Sequence, residues 1–128
     1  DLDTVMAGAA RGDFGDSIRF GASSAAEDET DLDKVYVRLD LFEAYTKGFL
    51  AGLDHSLTDA EIRAFPMGAL MLTLETGIRF LTDYLNGDTY FRTAYPAHNL
   101  DRAKNQFKLV SDMEEKMDEM NRIVQKYL

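Results

Sequence analysis

The stretch MGALMLTLETGIRFLTDYL, residues 67–85, decides how the rest of the chain is read. Met67, Leu70, Met71, Leu74, Ile78, Phe80, Leu81, Tyr84 and Leu85 recur at intervals of three and four. That spacing predicts one long helix, apolar enough to be central and buried on most sides. Asn86-Gly87-Asp88 closes it, with Gly87 suited to a left-handed cap. On the upstream side, Pro66 either ends a preceding helix or sits in the first turn of this one.

Further helices lie on both sides. Thr58-Asp59-Ala60-Glu61 has the form of a capping box and predicts a helix start. Residues 41–53 carry Leu41, Phe42, Tyr45, Phe49 and Leu53 at helical spacing, with Asp40 as the predicted N-cap. Downstream, 89–97 is an aromatic-rich loop, and Asn99 is placed to cap a last helix running almost to the end of the chain. Its stripe is Leu100, Ala103, Phe107, Val110, Met113, Met117, Met120, Val124 and Tyr127. Asp13 to about Ala22 has the pattern of a short helix with Phe14, Ile18 and either Phe20 or Gly21 inward. Residues 34–39 alternate polar and apolar, a strand signal, although a short one. Residues 23–33 are small and acidic without an apolar face, a composition that favours a loop prone to disorder. Residues 1–12 read as an extended start and a loop rich in Gly and Ala. The expected fold is all-α, a bundle of four or five helices, with residues 1–128 as a single unit.

The 128 residues are about one domain's worth, long enough to bury a core. The net charge of −9 disfavours nucleic acid and anionic lipid as partners. The chain has no cysteine, which excludes disulfides, thiolate metal sites and a cysteine nucleophile. No apolar run approaches the ~20 residues of a membrane span.

Few residues carry a chemical signal. Asp1 and Asp3 lie two apart, so an extended backbone points both to one face. With Asp13 and Asp16 close behind, they offer the hard oxygen ligands that magnesium takes alongside substrate phosphates. An acidic residue ending a short apolar run before a glycine-bearing loop is where many phosphoryl-transfer enzymes hold that ion. The chain begins at this feature, which leads us to expect the rear portion of a larger enzyme. Asp13-Phe14-Gly15 matches the kinase metal triplet in letters only, and Phe14 is expected in the core. His55 and His98 stand alone beside predicted helix caps and are expected as surface or capping residues. Gly8, Gly12, Gly15 and Gly21 are followed by no Lys-Ser/Thr and form no phosphate loop. Arg79 sits within the most apolar helix with Glu75 one turn before it. Two readings stand: a guanidinium donating to a ligand in a polar pocket, or a Glu75–Arg79 pair at the surface. Tyr90, Phe91 and Tyr95 follow in the adjoining loop, where rings either fill gaps or stack on sugar faces.

Several stretches together resemble the C-terminal part of the aminoglycoside/choline-kinase-like phosphotransferase family, most of all its N-acetylhexosamine 1-kinase branch. They are DLDTVM at 1–6, DFGDSIRFGA at 13–22, LDLFEAYTKGFL at 39–50, LETGIRFLTDYLNGDTYF at 74–91 and HNLDRAKNQFKLV at 98–110. The resemblance implies the helical C-terminal subdomain of a two-lobed, protein-kinase-like fold. The nucleotide lobe and the catalytic loop would precede residue 1, and no catalytic residue would lie in this part. Asp1 would be the magnesium ligand and Asp13 a structural aspartate. Arg79, Tyr90 and Phe20 would line the acceptor-sugar pocket. The parent protein would use ATP and Mg2+ to phosphorylate an N-acetylhexosamine in the cytoplasm, and this part alone would be inactive. Its partners would be the sugar acceptor and, through surface bared by the missing lobe, other copies of itself. Ala7 and Gly12 depart from the family pattern, which usually has proline and an aromatic there. A stand-alone helical interaction module and an aminoglycoside or choline kinase fragment are the alternatives. An inward Arg79 speaks against choline, whose sites favour aromatic cages.

Overall fold

The computed structural model describes residues 14–53 and 57–128, which are all-helical with no strand among them. A first helix, α1, occupies 14–21. A 3-10 turn, Leu32–Lys34, precedes α2 (Leu39–Leu53), α3 (Asp59–Arg63), α4 (Phe65–Leu85) and α5 (His98–Gln125).

Helices α4 and α5 form the frame, and their contacts pair descending with ascending residue numbers. Asp83 of α4 meets Asn99 of α5, and Gly77 faces Gln106 and Phe107, so the two run antiparallel. Gly77 is required by this packing, because a Cβ there would come within 2.7 Å of the Phe107 ring. Helix α1 comes as close to α4: a Cβ on Gly15 would lie 2.8 Å from Leu72. Phe14 of α1 stacks on Phe65 of α4 with ring centroids 4.5 Å apart, and Phe42 and Phe49 of α2 close round it at 6.0 and 5.4 Å. These rings, with Ile18, Leu109 and Met113, make the centre of the core. Phe14 is therefore a core residue, as its place in an amphipathic segment predicts. The beginning of α2 is tied to α5's exit by Tyr127, whose hydroxyl donates to Glu43 at 2.7 Å.

The local signals at helix ends are realised in part. Thr58 and Glu61 form the reciprocal capping box. Pro66 lies in the first turn of α4. Gly87 adopts φ +92°, as a left-handed cap requires. Helix α2 starts at Leu39, ahead of the expected cap, and Asp40 sits inside its first turn. Asn99 does not cap α5. It lies in the helix and its amide is buried, donating to Asp83.

Three expectations need correction. The alternation at 34–39 places Val35 and Val37 in the core, but it forms only an isolated bridge between Ser23 and Val37. The physical reason is where the backbone groups go. Asp112 accepts from Val37 N–H at 2.6 Å, while Lys108 and Lys116 donate to the carbonyls of Val35 and Val37. Side chains of α5 thus take the place of a neighbouring strand. The acidic loop 23–33 is ordered by α5 as well: Asn105 donates to the carbonyls of Ala26 and Glu29. Finally, α4 is not buried on most sides. Met67, Met71, Ile78 and Leu85 are 49–74% exposed and share one face at heptad spacing. Among the described residues, α1 and α5 cover the other flanks, where Phe65, Ala69, Thr73 and Phe80 are buried.

No helix among the described residues is long and apolar enough to cross a membrane.

Candidate functional site

The second half of α4, the turn after it, the entry of α5 and the end of α1 converge on one side of the bundle. The arrangement depends on Asp83. Its carboxylate accepts from the N–H groups of Thr89, Tyr90 and Phe91 at 2.8–3.0 Å and from the Asn99 amide at 2.8 Å. Three successive backbone donors aimed at one carboxylate fold the turn back over the end of α4. Asp88, at φ +60°, and Gly87 supply the left-handed residues this reversal needs. Asn99 also donates to Asp88 at 3.0 Å, which locks the turn from the other side.

The charge of Asp83 follows from this geometry. Burial pushes its carboxyl up, but the hydrogen bonds from Phe91, Tyr90, Thr89 and Asn99 outweigh burial and hold it below the ordinary carboxylate value. It is a buried anion kept charged by donors, which makes it a structural clamp.

The clamp aims aromatic rings. Phe91 packs on Phe80 with centroids 4.7 Å apart, and Tyr90 stands edge-on to Phe91 at 4.8 Å. Tyr90 is 74% exposed, and the Arg79 guanidinium lies 6.0 Å from its ring centre. Arg79, Tyr90, Asp83 and Asn86 line a cavity of about 280 Å3. A second cavity of about 490 Å3 shares Arg79 and Phe91 with the first and is bounded by Arg19, Phe20, Arg92 and Arg102. Phe20 is exposed rather than in the inward position the helical pattern allows, with the Arg19 guanidinium 4.0 Å above its ring.

The structure therefore brings Arg79 and Tyr90 to one cavity and Arg79 and Phe20 to the next. Arg79 is exposed and forms no ion pair with Glu75 among the described residues. Of the two readings of this arginine, the Glu75 pair is absent among the described residues, and Arg79 lines both cavities. His98 is buried, contrary to expectation. Ala94 N–H donates to its Nδ1 at 3.0 Å, so the proton sits on Nε2, which donates to Asp28 at 3.0 Å. Tyr95 stacks on it at 4.6 Å, and the Tyr95 hydroxyl, held by Asp101, has its pKa raised. His98 ties α5 to the 23–33 loop and does no visible chemistry.

Asp1, Asp3, Asp13 and His55 lie outside the described residues. Among the described residues no group of three or more His, Cys, Asp or Glu side chains is placed to hold a metal ion. The magnesium expectation, made on Asp1 and Asp3 with Asp13 close behind, therefore falls on residues outside that set.

Sequence reasoning missed Asp83, Arg19, Arg92 and Arg102, and read Asn99 only as a cap. Only Asp83 carried a signal: a carboxylate in the apolar helix, a few residues before a glycine turn full of free N–H groups. No known protein-family model matches the chain.

Proposed function

We propose that this chain is the acceptor-side helical part of a small-molecule kinase that transfers the ATP γ-phosphate to an N-acetylhexosamine. The observation that carries the proposal is the convergence of Arg79, Tyr90 and Phe20, with Phe91, on two adjoining cavities. A sugar is recognised by planar donors to its hydroxyl and carbonyl oxygens and by rings against its C–H face. Arg79 supplies a guanidinium with no carboxylate partner among the described residues, and Tyr90 supplies an exposed ring beside it. Asp83 holds Tyr90 and Phe91 in place before the ligand arrives, so less ordering is needed on binding.

The chain's own share of the reaction is to bind and orient the acceptor. Phosphoryl transfer depends chiefly on positioning and on neutralising charge. ATP, the base and the residues that complete the magnesium shell belong to the parent protein, with Asp1 as this chain's contribution to the metal. The fragment alone has no turnover.

The test is the full-length parent protein with ATP, Mg2+ and a panel of hexosamines. Phosphorylation of an N-acetylhexosamine is expected, and Arg79→Ala should lower kcat/KM for the sugar by about 10- to 100-fold, the loss typical of a charge-assisted hydrogen bond. No phosphorylation of any sugar, or an unchanged Arg79→Ala variant, overturns the proposal. A second reading, a helical interaction module, draws on the exposed apolar face of α4 formed by Met67, Met71, Ile78 and Leu85.

A further inference from the structure

The larger cavity has a charge opposite to that of the chain as a whole. The protein carries a net −9, yet four of its eight arginines, and none of its lysines, line this one cleft. Two carboxylates also border it, Asp16 and Glu27, and both are engaged: Arg19 holds Glu27 at 2.7 Å and Asp16 at 3.4 Å. Among the described residues Arg79, Arg92 and Arg102 have no carboxylate partner. Arg102 donates only to neutral oxygens, the Arg92 carbonyl and the Asn99 amide. Among the described residues three guanidinium groups lack a carboxylate, and the four arginines exceed the two carboxylates of the cleft by two charges.

The hydrogen-bond inventory points the same way. The side chain of Arg19 is only 8% exposed and its Nε–H is buried without an acceptor. The Nε–H of Arg102 is buried and unsatisfied as well. Buried donors without acceptors are rare in folded proteins, because each forfeits the hydrogen bond it made to water. Here two of them belong to side chains in the wall of one cleft, beside surplus positive charge. Rings of Phe20 and Phe91 complete the lining.

We propose that this cleft binds a small anionic molecule, a phosphate or carboxylate carried on a ring. The oxyanion takes the forked donors of Arg79, Arg92 and Arg102, and the ring lies against Phe20 and Phe91. Guanidinium suits such oxyanions because its planar fork matches them in two hydrogen bonds at once. The choice of arginine over lysine throughout the cleft agrees with that chemistry. The site shares Arg79, Phe20 and Phe91 with the proposed sugar site but does not rest on phosphotransfer. A parent protein that phosphorylates no sugar leaves it standing, and a cleft that binds no anion leaves sugar phosphorylation standing.

The experiment is calorimetric titration of the full chain, at constant ionic strength, with sodium phosphate, N-acetylglucosamine 6-phosphate, sodium glucuronate and uncharged N-acetylglucosamine. Saturable binding of at least one anion is expected, tighter for a ring-borne anion than for phosphate alone. Preference for the phosphate or the carboxylate arm identifies the anion. The double variant R79Q/R92Q should weaken that binding by about tenfold or more. Its thermal midpoint should stay at the parent value, since both side chains are exposed and neither has a carboxylate partner among the described residues. Absence of saturable binding by every anion, or anion binding that survives R79Q/R92Q unchanged, overturns the proposal.

Discussion

Replacing Phe14 by alanine removes a ring from the place where three helices meet. Phe14 is 1% exposed and lies 4.5 Å from Phe65, 5.4 Å from Phe49 and 6.0 Å from Phe42, centroid to centroid. Two contributions are lost. Transfer of the ring to water together with the cavity it leaves costs about 3–5 kcal/mol for Phe→Ala in a packed core. The stacked pair with Phe65 adds about 0.5–1.5 kcal/mol of coupling, which a double-mutant cycle with Phe65→Leu isolates. The site cannot easily collapse, because Gly15 already brings α1 into contact with Leu72 and fixes how near the helices approach. The upper half of the range is therefore expected. Against a total stability of about 5–15 kcal/mol, a loss near 4 is severe. It lowers the melting midpoint by on the order of 10–20 °C. Urea unfolding followed by circular dichroism measures it, with an unchanged slope showing that only stability moved. Since α1 also carries Arg19 and Phe20, the variant should lose the order of the arginine cleft in parallel. A loss below about 1 kcal/mol would refute the reasoning, since a fully buried ring cannot be removed at that scale.

Other outcomes are expected. Asp83 has its pKa held below the ordinary carboxylate value, so its contribution to stability is fully present above the unfolded-state pKa of about 3.9 and is lost as pH falls through the folded value. Asp83→Asn should flatten the acid limb of the stability curve in a pH series of thermal melts; an unchanged limb means the carboxylate is not the clamp. Asn105→Ala removes two donors to the 23–33 loop and should destabilise by about 1–3 kcal/mol. Amide exchange of residues 24–31 should rise with it, and unchanged exchange would show that the loop is held elsewhere. If the exposed α4 face mediates self-association, Ile78→Glu should lower the light-scattering mass toward that of one chain; a parent protein already monomeric at high concentration removes that role.

Much of the helix placement could be read from the residues. The capping box at Thr58–Glu61, the first-turn Pro66, the left-handed Gly87 and the stripe of α5 all depend on neighbours within a turn or two. The core role of Phe14 was legible for the same reason. The alternation at 34–39 was real too, but its consequence was not readable. Whether an extended segment pairs with a strand or with side chains depends on what the fold sets beside it, here Lys108, Asp112 and Lys116 of α5.

The site was legible only as separate letters. Arg79 and Tyr90 stand out in the string and Phe20 enters through the resemblance, but their convergence with Arg19, Arg92 and Arg102 spans most of the chain and needs the packing of α1 and α5 on α4. Asp83 shows the same division. A carboxylate near the end of a helix is visible in the string, while its grip on residues 89–91 and on Asn99 exists only once the turn has reversed. Helical periodicity and caps are short-range properties, written into consecutive residues by backbone geometry. Burial, surplus charge in a cleft and unsatisfied donors are sums over groups far apart in the chain, so they arise only when the helices come together.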